Sequence, residues 1–321
     1  MTADPERSEP AATVFRAEPL PAILEHVQRH FADGASQVRI EVLDPDHGRG
    51  LFAGERVTIG GVEHVHRPLQ VWVDLAARLG LRLLTPRPAA PPRIELRLER
   101  LDPSADWHRE AAPDPTEKYG AGSSFARISK LEDPDFVLDV ADAIDRIGLT
   151  ADARVLELGV GRGDALALLT ARVPGLAGRG ELVGVDHSRS ALDLARARLP
   201  GARFVAADLA DLAGLELGRF DLVLAIDTLQ SSGLDDRALL RTIVQRCLTP
   251  RGAILLSLPN CRYLDGEVLY GARTRNFREP ELGLMIRDIA YYQRYLRQHA
   301  FATRVTGKYA VLLTATPIAR G

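Results

Sequence analysis

Apolar and polar residues follow two rhythms along this chain. Ile23, Leu24, Val27 and Phe31 recur at the spacing of one helix face, which predicts a helix over 22–31. QVRIEVL, at 37–43, alternates and reads as a strand with one face covered. RVTIGGVEHV, at 56–65, reads as a hairpin turning at Gly60-Gly61, and 71–79 as a short helix stopped by Gly80. Further strands are expected at 81–84 and 93–101, with PRPAAPP at 86–92 an extended proline-rich loop between them. These pieces make a small N-terminal α+β domain over 21–101, preceded by a disordered tail over 1–20 of mixed charge, alanine and proline. Residues 102–135 follow as a linker and a lid segment.

From 136 the rhythm becomes a regular alternation. A helix over 137–147 leads into strands at 154–160, 181–186, 202–207, 220–227 and 253–258, with helices at 165–172, 190–199 and 236–247. Strands that are apolar throughout and separated by helices bury a parallel sheet between two helical layers. Two last strands, 303–306 and 310–314, flank Gly307-Lys308 and bring an antiparallel strand to the sheet edge. The domain from 136 to 321 is therefore expected to be α/β, a mostly parallel seven-stranded sheet with an antiparallel last strand.

Composition narrows the picture. The 321 residues are 46% hydrophobic and 26% charged, ordinary for a globular protein. No apolar run has membrane-spanning length and the N-terminus lacks a signal pattern, so a cytoplasmic protein is expected. A net charge of -2 offers no global field for nucleic acid or anionic lipid. The two cysteines, Cys247 and Cys261, are too few for a disulfide framework or a zinc site. Basic residues are almost all arginine: Lys118, Lys130 and Lys308 are the only three lysines.

The chemistry concentrates in VLELGVGRGDALALL, from Val155 to Leu169. A strand ends in glycines at 159, 161 and 163, and a helix follows, so free N–H groups and a positive dipole end point outward. Asp186, closing the next strand, is placed to accept both hydroxyls of a ribose. The spacing is G-x-G-x-G, whereas dinucleotide turns use G-x-G-x-x-G, and Glu157 would repel a pyrophosphate. An acid there suits a cationic ligand bearing an ammonium or sulfonium group.

VLELGVGRG resembles the first motif of class I S-adenosylmethionine-dependent methyltransferases. ELVGVDHS (181–188), FVAADLADL (204–212), FDLVLAIDTLQ (220–230) and LTPRGAILLSLPN (248–260) resemble that family's later strands. The resemblance implies a Rossmann-like methyltransferase fold and S-adenosyl-L-methionine as cofactor, with S-adenosyl-L-homocysteine as product. It implies that Gly159, Gly161 and Gly163 approach the methionine part and ribose, that Glu157 orients the amino group and that Asp186 takes the ribose. Asp208 and the backbone of Leu209 would hold the adenine, with His187 along the adenosine. Asp227 would lie near the transferred methyl; Asp227 and His187 are the candidate catalytic groups. The plain alternative is that Asp186 and Asp208 cap helices and Asp227 is a solvated strand end.

Acceptor contacts are expected from loops at the carboxyl ends of the strands. The insertion over 260–281 offers Asn260, Arg262, Tyr263 and Tyr270, then Arg273, Arg275 and Arg278, whose guanidinium groups suit a carboxylate or phosphate. The helix beginning at Pro280 should bury Leu282, Met285, Ile286, Ile289 and Leu296. KYGAGSSFARIS (118–129) suits a segment that folds over a cofactor, with Tyr119 and Phe125 as closing aromatics; an ordered connector is the other reading. His64 and His66 share a strand face, but nothing nearby completes a metal site, and none is expected.

Two enzymatic readings stand. The first methylates an O or N atom of a small-molecule acceptor, the N-terminal domain shaping the pocket or forming a homodimer. The second acts on RNA or protein with that domain as reader. A non-catalytic cofactor-binding partner is the third reading. Charge favours the first.

Overall fold

The computed structural model describes residues 11–106, 114–271 and 281–318. The chain divides into two compact units, Met1–Ala105 with Tyr263–Leu269, and Asp106–Arg262 with Tyr270–Gly321. The second unit thus begins well before 136, taking in the pre-core segment.

The first unit contains β1 (Thr13–Val14), α1 (Leu20–Ala32), β2 (Gln37–Leu43), β3 (Arg56–Ile59), β4 (Val62–Val65), α2 (Leu69–Leu79), β5 (Leu81–Leu83), β6 (Arg87–Pro88) and β7 (Arg93–Arg100). Its main sheet runs β1-β2-β7-β5, with β6 also on β7, and β3 and β4 form the expected hairpin. Ile23, Val27 and Phe31 of α1 and Trp72, Leu75 and Ala76 of α2 pack on the apolar face, against Val38, Ile40, Val42, Leu96 and Leu98. Gly80 closes α2 in the left-handed conformation at φ 66°, where a side chain would be strained.

Two expectations are corrected here. The tail is ordered over its last part: Thr13 and Val14 pair with Ile40 and Glu41, and Phe15 is buried. Two residues with no alternation of their own acquire a strand because β2 offers them an open edge. The proline-rich loop likewise gives a short strand, Arg87 and Pro88 pairing with Glu95 and Ile94. Proline is tolerated there because the strand lies at an edge.

The second unit contains α3 (Pro134–Ile147), β8 (Arg154–Leu158), α4 (Asp164–Arg172), α5 (Leu176–Arg179), β9 (Glu181–Asp186), α6 (Arg189–Arg198), β10 (Arg203–Ala206), β11 (Phe220–Ala225), α7 (Asp236–Thr242), β12 (Leu248–Pro259), α8 (Leu282–Gln298), β15 (Phe301–Gly307) and β16 (Ala310–Pro317); the two-stranded pair β13 (Cys261–Leu264) and β14 (Glu267–Tyr270) lies mostly in the stretch that groups with the first unit. Its seven strands run β10-β9-β8-β11-β12-β16-β15, the mostly parallel, Rossmann-like sheet that the resemblance implied. Only β16 opposes its neighbours. It lies between β12 and β15, so the antiparallel strand is one place in from the edge that the sequence suggested.

Both sheet faces are covered. Phe136, Val140 and Ile144 of α3, Leu166 and Leu169 of α4 and Leu192 of α6 pack on one face. Leu239 and Leu240 of α7 with Met285, Tyr292 and Leu296 of α8 pack on the other. The stripe expected on α8 is corrected: Leu282 and Ile286 are exposed and Tyr292 takes the buried place. Its hydroxyl is satisfied by donating to Asp236 Oδ2 at 2.7 Å, which lets an aromatic with a polar tip go inside.

Burial, with Arg16 and Arg93 nearby, pushes the His64 imidazole below its ordinary 6.5. The folded state therefore binds this proton less readily than the unfolded chain, and stability falls as pH drops below 6.5. Thermal midpoints of the full chain should drop on crossing from above to below pH 6.5, and His64→Gln should flatten the drop; identical profiles for both proteins would exclude this origin.

Candidate functional site

The glycine turn is held sideways by the neighbouring strand. Gly159 and Val160 donate their amides to the Val185 carbonyl at 2.8 and 3.1 Å, and Gly161 donates to Asp186 Oδ2 at 2.8 Å. Gly159, Gly161 and Gly163 take φ of 68°, 51° and 81°, in the left-handed region where a side chain is strained. Their surroundings differ. A Cβ on Gly159 would stand 2.5 Å from Thr228 Oγ1, whose hydroxyl fastens to the Leu158 carbonyl at 3.0 Å. A Cβ on Gly161 would meet nothing within 4 Å, so this face of the turn is open. Gly163 is the N-cap of α4 and brings no side chain to the task.

Glu157 fills that gap. It is 2% exposed, and the Leu166 amide of the first α4 turn donates to its carboxylate. Its Oε2 has no partner. Burial pushes this carboxyl well above the usual range, with the charges of Asp164 and Asp186 adding to the rise and Lys130 opposing it. A buried acid with one oxygen unsatisfied, among further carboxylates, is a place prepared for positive charge.

Asp186, also buried, accepts from the Gly161 amide through Oδ2 and from the Ser188 amide through Oδ1 at 2.9 Å. A carboxylate has about four lone-pair sites, so each oxygen retains capacity for a ligand hydroxyl. Asp208 is exposed and accepts from the Ala210 amide at 2.8 Å, capping the turn Leu209–Gly214. The capping reading of Asp208 thus holds in this structure, alongside whatever its second oxygen takes up.

Asp227 is not a solvated strand end. It follows β11 at φ 52°, a strained conformation for a residue with a side chain. Its amide donates to Ser257 Oγ at 2.9 Å, the Ser257 hydroxyl returns a bond to Oδ1, and Lys130 Nζ forms an ion pair with Oδ2. Reasoning from sequence missed Lys130, Ser257 and Thr228. The scarcity of lysine was the one available hint for Lys130; Ser257 and Thr228 lie within ordinary strand text.

The pre-core segment crosses the same edge of the sheet. Tyr119 lies edge-on to Phe125 with ring centroids 5.3 Å apart, and 6.4 Å from the His187 ring. Burial pushes the Tyr119 phenol up. Arg162 donates to the Ala126 carbonyl at 2.8 Å, and the Lys130 amide to Asp164 Oδ2 at 3.3 Å. Glu157, Gly159, Gly161, Gly163, Asp186 and Asp227 are therefore gathered at the ends of β8, β9 and β11, with His187, Tyr119 and Lys130 around them.

The acceptor candidates are less united. Asn260 is buried and its amide nitrogen donates to the Lys308 carbonyl at 2.8 Å, fastening the end of β12 to the turn before β16. Arg262 is half-buried and Tyr263 groups with the first unit. Arg273, Arg275 and Arg278 lie outside the described residues. Burial pushes the Cys247 thiol up to about 11, which disfavours the thiolate. His64 and His66 are both buried, and among the described residues no group of three metal-binding side chains occurs.

A methyltransferase domain family matches residues 155–252. Trans-aconitate 2-methyltransferases are similar over part of the chain: that of Acidovorax sp. (strain JS42) is 34% identical over 119 residues, 37% of this chain and 43% of the relative. The Methylobacterium nodulans protein is 38% identical over 120 residues, again 37% and 43%. The chain thus spans less than half the length of these relatives. Among solved structures, a Haloferax volcanii methyltransferase in complex with the Trm112 activator is 18% identical, covering 65% of this chain and 100% of that one with a TM-score of 0.45. A S-adenosylmethionine-dependent methyltransferase from Aquifex aeolicus is 16% identical, covering 60% and 98% with a TM-score of 0.43.

The glycines should separate by substitution. Gly159→Ala meets both backbone strain and Thr228, costing about 2–4 kcal/mol of stability. Gly161→Ala meets strain alone, costing about 1 kcal/mol, yet should weaken S-adenosylhomocysteine binding measured by calorimetry. Equal stability losses with unchanged affinity for Gly161→Ala would contradict this assignment.

Proposed function

We propose that this chain, which carries a class I S-adenosylmethionine-dependent methyltransferase domain, transfers the donor's methyl group to an O or N atom of a small-molecule acceptor. The observation that carries the reading is the Asp186 carboxylate, locked onto the Gly161 amide beside the open face of the turn. Its remaining lone pairs suit the two ribose hydroxyls. The unsatisfied Glu157 oxygen suits the donor's positive charge nearby, directly or through a water. Asp208 and the Leu209 backbone stand at the next strand end, where the adenine would lie.

The donor supplies an activated methyl on a sulfonium; the protein's work is to align it with a nucleophile and keep water out. Tyr119 and Phe125 support the second task as a lid, and Tyr119 also sets the ring of His187 along the adenosine side. Asp227 stands at the opposite end, by the third strand tip, and is the better candidate for contact with the reacting groups. A carboxylate acceptor would need no base, whereas a hydroxyl or amine would give its proton to Asp227. Relatives named for methylation of trans-aconitate, a small organic acid, support a small acceptor. Asn260 and Arg262, with Arg273 and Arg275 of the insertion, remain the proposed acceptor contacts.

Radiolabelled methyl transfer should be seen with small metabolites, organic acids among them, and not with bulk RNA or peptides; transfer to RNA would reverse the choice of acceptor. Asp186→Asn should weaken donor binding roughly tenfold to a hundredfold, the scale of a charge-assisted bond lost at a partly enclosed site. An Asp186→Asn protein with wild-type affinity would remove the ribose assignment.

A further inference from the structure

Resting on that reading of the donor site, we propose that Glu117 is a positioning residue whose carboxylate latches the pre-core segment onto the loop following Asp186. Glu117 ends a short turn, Pro115–Glu117, in the second unit. Its Oε2 accepts from the Ser188 hydroxyl at 2.8 Å and from the Ser190 hydroxyl. Its Oε1 accepts from the amides of Arg189 at 2.9 Å and Ser190 at 3.4 Å. Four donors thus converge on one side chain from three consecutive residues. The Ser190 hydroxyl in turn accepts from the Ala121 amide at 2.8 Å, so the segment is held at two points.

The fit requires a glycine. A Cβ on Gly120 would run into both Glu117 Oε2 and Ser190 Oγ, although the backbone there is not in the left-handed region. Gly120 is needed for closeness, where the glycines of the β8 turn are needed for conformation. The bonds hold the Glu117 carboxyl below its usual range, Ser190 contributing most.

The place of the latch gives it a role. Ser188 is the residue whose amide donates to Asp186 and whose hydroxyl caps α6 by accepting from Ala191 at 3.1 Å. Glu117 therefore fastens the segment two residues beyond the ribose acid. Tyr119, two residues beyond Glu117, is thereby set against His187 and Phe125. Glu117 takes the first two α6 amides, Arg189 and Ser190, while Ser188 caps Ala191 independently of it, and without Glu117 water can take the two freed amides. Removing Glu117 should release the segment without unravelling the helix. A latch built from hydrogen bonds on half-exposed loops opens readily, as donor entry and product release require.

The test follows dissociation of S-adenosylhomocysteine from the full chain by stopped-flow displacement, with thermal midpoints of the free protein alongside. Glu117→Ala should leave the free midpoint within about 2 °C of wild type while dissociation quickens roughly three- to tenfold. Glu117→Gln, which keeps an accepting oxygen, should fall between them. Gly120→Ala, which pushes the latch apart and keeps the carboxylate, should quicken dissociation too. Ser190→Ala should quicken dissociation further in Glu117→Ala, because it also removes the Ala121 attachment, but by less than the two single effects combined, since the two residues share one bond. Wild-type dissociation rates in Glu117→Ala and Gly120→Ala, with the wild type binding normally, would overturn the latch alone. A wild-type chain showing no binding would overturn the donor site and the latch with it.

Discussion

Everything at the carboxyl edge of the larger sheet hangs on one sideways attachment: the bonds from 159–161 to the end of β9. A chain leaving a strand and entering a helix within five residues satisfies few of its own amides; Gly163 reaches the Val160 carbonyl, and Val185 and Asp186 take those of Gly159, Val160 and Gly161. The attachment explains why the turn needs left-handed glycines, since only such a path brings successive N–H groups round toward β9. It also explains why Asp186 is buried yet tolerable, because two amides compensate its charge. Thr228 completes the arrangement from the other side, joining the tip of β11 to β8 through the Leu158 carbonyl. Three strand tips are thereby fixed relative to one another, and residues far apart in sequence share one edge.

Much of this was legible because the periodicities were uninterrupted. Residues 181–186 have the bounds expected for β9, and the hairpin at Gly60-Gly61 and the stop at Gly80 fall where the sequence placed them. The glycine turn and Asp186 could be found together because a turn and a strand end are local signals that βαβ topology always brings side by side. Illegible features were those decided by a distant partner. Thr13 and Val14 became a strand because β2 had an edge to offer. The place of β16 depends on which strand the final hairpin meets first, and sequence alone does not order β12, β16 and β15. Tyr292 displaced Ile286 from the buried face of α8 because Asp236 waited to receive its hydroxyl. Lys130 reached Asp227 across 97 positions of chain.

Electrostatics at the strand ends supports the same conclusion from another direction. Glu157, Asp164, Asp186 and Asp227 are brought into one region although like charges oppose such a gathering. Helix α4 offsets part of the cost through its positive N-terminal end. Lys130 and Arg162 offset more, by pairing with Asp227 and Asp164. The compensation stops short at Glu157, whose raised proton affinity is the measure of what is missing. A cation delivered there would relieve the remaining strain, and a pyrophosphate would aggravate it. The same residue that excludes a dinucleotide therefore favours a sulfonium donor, which is why a single acid two places before a glycine turn carries so much weight.

The arginines of the first unit bear on the acceptor by the same reasoning. The sheet face away from α1 and α2 is a ladder of ion pairs: Arg39 with Glu95, Arg93 with Glu41, and Arg82 with Glu99, Asp265 and Glu267. Arg56 pairs with Glu63 in the hairpin. A surface built to read a nucleic acid leaves its cations free for phosphates, since affinity comes from the counterions they release. Here cation and anion alternate along each strand and pair diagonally between β2 and β7, neutralising each other within the unit. In the observed register Arg39 stands opposite Arg97 and Glu41 opposite Glu95, so the ion pairs Arg39–Glu95 and Arg93–Glu41 run diagonally and offset the like charges that face one another; a one-residue slip would instead turn the apolar set out of the core. Arg39, Arg82 and Arg93 on the sheet and Arg56 in the hairpin are thus engaged by acids of their own unit.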